Sequence, residues 1–338
     1  MNKETGRNSS LDVLRCLLMF GVVMQHAFAV CKFGGIIPYA SYAIYDGLTG
    51  PSVPGFASLS GWFGVKCTLK KLWRLACLIL FCGTLHYGIY QIGRCVCGAK
   101  YLEWFGYDIP CMNYGYEVYR YWYLGAYVKL LVLSIVLNPL LCAISRLKKH
   151  WIAIISCAFI GASYLSLVWF PWQSHSPRTI IFIYIVVRLV CMFDIARIVK
   201  IKAVHSFIGC LLVLLYILFA ANTHYWWFRG YHHPFSLLAG LLLVLFFYPL
   251  QLSPNSYFAK ICSLIAPSMI AVYMLHWNFM ETFFKPIPQL IIHVFPSFPI
   301  PMAFFICATV IFAIVTILDL VRRKCVAILK PHLPKFLV

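Results

Sequence analysis

The stretch LDVLRCLLMFGVVMQHAFAVC, Leu11 to Cys31, is long and apolar enough to cross a bilayer, yet it carries Asp12, Arg15, Gln25 and His26. About 20 apolar residues in a helix span the hydrocarbon. Ionisable groups inside such a helix are costly unless a polar cavity or a partner solvates them, so they mark a functional site by default. Arg15 and His26 are eleven residues apart, which is about three helical turns and roughly 16 Å along the axis, on nearly one face. Asp12 lies one turn from Arg15 on that side. The spacing predicts a polar stripe that starts at one interface, runs into the membrane and ends in an imidazole able to titrate near neutral pH.

The rest of the chain has the same character. Of its 338 residues 62% are hydrophobic and 11% charged, and the mean hydropathy is +0.85. A soluble domain does not have this composition. The first apolar run carries its charges inside and is followed by no small-residue cleavage site, so it is expected to stay attached as the first span. The net charge of +19 would raise nucleic acid in a soluble protein, but here the basic residues sit in short loops on alternate sides of the spans, and no nucleic-acid partner is expected. The fifteen cysteines are scattered singly through apolar segments, where Cys acts as a small hydrophobe, and no four have zinc spacing, so no metal site is expected. Cys95, Cys97 and Cys111 share one loop, and two of them could pair if it faces an oxidising compartment.

Apolar windows recur at 11–31, 45–65, 73–93, 121–144, 151–170, 179–198, 204–221, 234–250, 261–280 and 300–321. They predict an all-α polytopic membrane protein of about ten transmembrane helices in one integral-membrane domain, residues 1–338. The second window holds Pro51, Pro54, Gly47, Gly50, Gly55 and Gly61, so a kinked or partly unwound helix is expected there. With the N-terminus inside, eighteen Lys and Arg fall on inner segments, seven on outer ones and three (Arg15, Lys129 and Arg188) within spans. That bias places both termini in the cytoplasm.

Several further groups could carry chemistry. Lys70, Lys71 and Arg74 open the third span, with Arg74 on one helical face with both lysines. Such a cluster suits a phosphate ligand, Arg as a fork and Lys as a point charge, although an ordinary positive-inside anchor explains it as well. Tyr273 and His276 form an i, i+3 pair in the ninth window, either lining a cavity or bonded into the core. Ser60 and Gly61 close the second span as a small packing pair or a backbone-exposing turn. On the outer side His224, Trp227, Arg229 and His232 lie in NTHYWWFRGYHHP, an aromatic interface belt or the lining of a sugar site. Arg120 and Trp122 enter the fourth span from that side. Arg188 and Asp194 read as structural.

Together these features resemble the acyltransferase-3 family of polytopic membrane O-acyltransferases. The resemblance rests on Arg15, ten residues, then His26; on Ser60-Gly61 with an aromatic; on Lys71-x-x-Arg74; on WYL and LNPLL in the fourth span; and on VYMLHWN in the ninth. It covers nearly the whole chain, and the WYL and LNPLL segments look closest to members that decorate exported polysaccharides. Lys71 stands where Arg is commoner and keeps the charge without the fork. Arg120 stands where members often have His.

The resemblance implies an enzyme of the bacterial cytoplasmic (inner) membrane. It would take an acyl group, commonly acetyl, from cytoplasmic acyl-CoA as co-substrate, with no permanently bound cofactor, and pass it to a hydroxyl of an exported or lipid-linked polysaccharide. His26 matches the catalytic His and Arg15 its motif partner. Lys70, Lys71, Arg74 and Ser60 match the donor side, Tyr273, His276, Trp122 and Arg120 are further cavity candidates, and His224, Trp227, Arg229 and His232 are candidates for the acceptor. A thioester is already activated, so such an enzyme must mainly deprotonate the acceptor, hold both substrates and stabilise an oxyanion, with direct transfer or an acyl-His intermediate both open. Two rival readings remain. One is a transporter or flippase of a lipid-linked sugar or small solute, with the same residues as a proton relay; the other is an assembly subunit in which the embedded charges only pair helices.

Overall fold

The computed structural model describes residues 8–33, 47–97, 121–169, 176–192, 203–222, 234–250, 252–280, 294 and 300–329. Among them the regular structure is helical: α1 Ser9–Phe33, α2 Ser52–Phe63, α3 Leu69–Cys97, α4 Trp122–Ser145, α5 Lys149–Trp169, α6 Pro177–Met192, α7 Ala203–Asn222, α8 Pro234–Phe247, α9 Tyr257–Ile265, α10 Met269–Phe279 and α11 Ile300–Leu329. Tight 3-10 turns follow α8 and join α9 to α10. Four stretches are long and apolar enough to cross a membrane: Ser9–Phe28, Trp122–Ser145, Tyr257–Trp277 and Pro301–Leu329. Apolar side chains face outward, among them Leu80, Val136, Leu212 and Ile317, while Asp12 and Asp319 are fully buried. That inversion of the soluble pattern suits a hydrocarbon solvent. The chain is a polytopic all-α membrane protein.

It divides into two compact units. The first comprises Met1–Gly21, Ala43–Cys67 and Trp122–Ala266; the second comprises Val22–Tyr42, Thr68–Tyr121 and Pro267–Val338. The continuous helix α1 contributes its first half to one and its second half to the other.

In the first unit α2 is gripped on three sides, because its sequence puts small residues where neighbours approach. Leu18 of α1 packs on Gly55, where an added Cβ would come within 2.6 Å of it. Gly240 of α8 lies against the backbone of Pro54 and Gly55, and Gly61 lies against Val187 and the Tyr184 carbonyl of α6. The expected break falls at Gly50 and Pro51, which form a turn before the helix restarts at Ser52. Pro54 thereby sits in the first turn, where its missing N–H costs no intrahelical bond. The helix is capped by Gly64, whose φ of 75° lies in the positive region that glycine adopts freely.

The strand of chain that leaves α2 is held by a closed polar ring. Asn138 Nδ2 donates to the Val65 carbonyl at 2.7 Å, the Tyr184 hydroxyl donates to Asn138 Oδ1 at 2.7 Å, and the Val65 N–H donates to that hydroxyl at 3.2 Å. At the start of α1, Asn8 Oδ1 accepts from the Ser10 and Leu11 N–H groups, and Ser10 Oγ accepts from the Leu252 N–H. Leu11, Leu14, Leu18, Leu59 and Val244 form the apolar centre between these polar ties.

In the second unit α10 packs on both α3 and α11. Buried Ala303, Phe304, Cys307, Ala308, Ile311 and Val315 recur every three or four residues along α11, the stripe of a helix with one inward face. Phe304 meets Phe28 edge to face at 5.1 Å. Below this stripe the fully buried Asp319 pairs with Arg322 at 2.7 Å, Arg322 lies over the Phe81 ring of α3, and Arg323 donates to Ser268 Oγ at 3.3 Å.

Candidate active site

In the second unit His26 of α1 meets His276 of α10, with Nδ1 of the first 2.5 Å from Nε2 of the second and the ring planes 6° apart. The i, i+3 spacing of Tyr273 and His276 brings both to this place, with ring centroids 6.1 Å apart, and Tyr121 packs on Tyr273. Trp277, the next residue of α10, stands at right angles to His26 at 4.8 Å. His276 is buried and His26 half-buried.

The hydrogen bonds determine where the protons are. Nδ1 of His276 lies 2.8 Å from the Val272 carbonyl, one turn earlier on the same helix. A carbonyl only accepts, so that Nδ1 carries the proton, and the Nε2 of neutral His276 is an acceptor. His26 must then donate from Nδ1, which puts its own basic lone pair on Nε2. A proton taken up at that Nε2 gives an imidazolium whose Nδ1–H is already held. The arrangement is that of a base with an orienting partner, the partner here being a second histidine.

In the first unit Arg15 Nη1 donates to Asp12 Oδ1 at 2.5 Å, as their i, i+3 spacing allows, and Ser263 Oγ donates to Asp12 Oδ2 at 3.1 Å. The guanidinium lies 5.0 Å from the centroid of Phe63, the last residue of α2. The buried carboxylate thus holds Arg15 in one orientation, with part of its charge left exposed.

The remaining expected residues are distributed as follows. Lys70, Lys71 and Arg74 are exposed on the first turns of α3, where Thr68 Oγ1 accepts from the Lys71 N–H. Ser60 Oγ donates to the Phe56 carbonyl of its own helix, and Gly61 is the close-packing member of that pair. Trp122 is half-buried against Tyr123. Arg120, His224, Trp227, Arg229, His232, Asp194 and Cys111 lie outside the described residues. Cys95 is exposed on α3. Among the described residues no group of three His, Cys, Asp or Glu could hold a metal ion. Trp277, Asp319, Asn138 and Tyr184 were not singled out by spacing; only the runs WN and NP hinted at two of them.

A protein-family model described as an acyltransferase domain matches residues 8–318 of the chain. No curated protein and no solved structure gives a significant match.

Proposed function

The chain belongs to the acyltransferase-3 family and is a membrane acyltransferase, and on that premise we propose that it moves an acetyl group from cytoplasmic acyl-CoA to a hydroxyl of an exported or lipid-linked cell-surface polysaccharide. The observation that carries this reading is the His26–His276 contact together with the Val272 carbonyl that fixes its tautomers.

Nε2 of His26 takes the proton of the acceptor hydroxyl as its oxygen attacks the thioester carbonyl. The tetrahedral oxyanion collapses, the C–S bond breaks, and the CoA thiolate leaves with the proton returned by the His26 imidazolium. His276 holds the Nδ1–H of His26 throughout and does not change its own protonation. Lys70, Lys71 and Arg74 attract the coenzyme's phosphates from the cytoplasm, with Ser60 and Arg15 on the donor side. His224, Trp227, Arg229 and His232 receive the sugar from the outer side, with Arg120 and Trp122 beside them. Ten spans with both termini in the cytoplasm of a bacterial inner membrane give donor and acceptor opposite entrances.

The test is acetyl ester content of surface glycan, read by NMR in a deletion strain complemented with wild type or with His26→Ala. Ester should return with wild type only, the variant losing about 100-fold or more of the activity, as removal of a general base does. Equal ester in all strains refutes the reading and favours transport without acyl transfer.

A further inference from the structure

Arg188 of α6 is a half-buried cation inside an apolar helix, flanked by buried Val187 and Leu189. Its Nε is sealed from solvent and has no hydrogen-bond partner among the described residues. A guanidinium keeps its charge in proteins, and a charge partly withdrawn from water without a counterion is costly. The Asp12–Arg15 and Asp319–Arg322 pairs show how the same chain treats other embedded arginines. Among the described residues no acid is paired with Arg188.

Its position gives the reason for keeping it. The guanidinium lies at the end of α2, where a Cβ built on Gly64 would be 3.5 Å from Nη1 and 3.7 Å from Cζ. The residue before, Phe63, carries the Arg15 guanidinium over its ring, and Lys66, two residues after Gly64, is exposed. Two arginines from two helices thus meet the consecutive residues Phe63 and Gly64, the last residue of α2 and its cap. The Asp12 carboxylate, which pairs with Arg15, also accepts from Ser263 Oγ. The carbonyl end of α2 attracts a cation weakly, but it supplies no acceptor to Nε. The place has excess positive charge, a planar donor fork and an unused donor.

We propose that Arg188, with Arg15, binds a diphosphate at the end of α2. On the function proposed above, that diphosphate is the one joining the adenosine and pantetheine halves of the acyl-CoA donor. A polyprenyl-diphosphate-linked acceptor offers the same chemistry, and the fork of each guanidinium matches paired phosphate oxygens in either.

The experiment measures binding of CoA, pantetheine and farnesyl diphosphate to the full chain in nanodiscs, as wild type, Arg188→Met and Arg188→Lys. Arg188→Met should weaken CoA binding about 10- to 100-fold, the size expected for lost charge-assisted hydrogen bonds, and leave pantetheine, which has no phosphate, unchanged. Arg188→Lys should fall between, since it keeps the charge and loses the fork; it carries the comparison by itself if the Met variant does not fold. Loss with farnesyl diphosphate alone supports the diphosphate site and overturns its assignment to the donor. Equal affinity of wild type and both variants for the two diphosphate probes, or a wild type that binds neither, overturns the proposal. Failure of the acyl-CoA reading itself has a separate signature, a wild type that binds CoA no tighter than pantetheine.

Discussion

His276 accepts at Nε2 the proton that His26 carries on Nδ1, across 2.5 Å, so the tautomer of the more accessible ring is dictated by the more buried one. Replacing His276 with Leu removes the acceptor and lets His26 turn and exchange tautomers. His276→Leu is expected to lower kcat about 10- to 100-fold, the size of one lost hydrogen bond to a group that becomes charged, with KM for acyl-CoA nearly unchanged. His276→Gln, whose side-chain carbonyl can accept from Nδ1–H, should recover much of the loss. A purely structural His276 would show no such difference between Gln and Leu at equal protein stability.

The ring of Asn138, Tyr184 and Val65 makes a second expectation. Asn138→Leu keeps the size of the side chain but leaves the Val65 carbonyl without its donor and the Tyr184 hydroxyl without its acceptor. Stranding such groups costs about 1–3 kcal/mol each, so the thermal midpoint in detergent should fall clearly. Tyr184→Phe should fall too, and the double variant should fall by less than the two losses added, because both act on one network. Additive losses would show that the ring is not a unit.

Glycines on the helices separate into two kinds. A Cβ on Gly61 would stand 2.7 Å from Val187 Cβ and 3.0 Å from the Tyr184 carbonyl oxygen, both on a rigid helix face, whereas one on Gly125 would meet nothing within 4 Å. Gly61→Ala is expected to destabilise by about 1–3 kcal/mol through overpacking, and larger residues by more. Gly125→Ala should be neutral or stabilising by up to about 1 kcal/mol, the propensity gain in a helix. Similar midpoints for the two variants would contradict the close approach of α2 and α6.

Asp319 is fully buried and is the acid that Arg322 is bonded to. Asp319→Ala leaves the guanidinium unpaired and is expected to cost about 3 kcal/mol, read as lower folded yield and a lower thermal midpoint. Adding Arg322→Met should restore part of it by removing the stranded charge. No recovery in the double variant would mean that Asp319 serves something other than Arg322.

Much of this was open to sequence reading, for reasons of period. An eleven-residue step marks one face of α1, a three-residue step marks the face shared by Tyr273 and His276, and hydropathy marks where helices run. Contacts across long separations have no period. Nothing local says that Asn138 reaches Val65, 73 residues earlier, and Tyr184, 46 residues later. The meeting of His26 and His276 is likewise suggested by the cost of leaving each alone in hydrocarbon rather than by any spacing between them. Asp319 stands i, i+3 from Arg322 at the inner end of the apolar window 300–321, where the adjoining basic run Arg322, Arg323 and Lys324 reads as an ordinary positive-inside anchor rather than as half of an ion pair. Arg188 read as structural because a lone Arg in a span ordinarily finds an acid on another helix.

Two embedded acid–base pairs among the described residues, Asp12 with Arg15 and Asp319 with Arg322, are each made within a single helical turn, and each guanidinium also rests on a phenylalanine. A helix that carries its own counterion needs no partner to neutralise it while the chain is being delivered to the bilayer. Helices α1 and α11 can therefore enter the membrane with that charge already neutralised. Arg188 has no acid within a turn of it on α6, so that helix carries its charge into the membrane without a companion of its own.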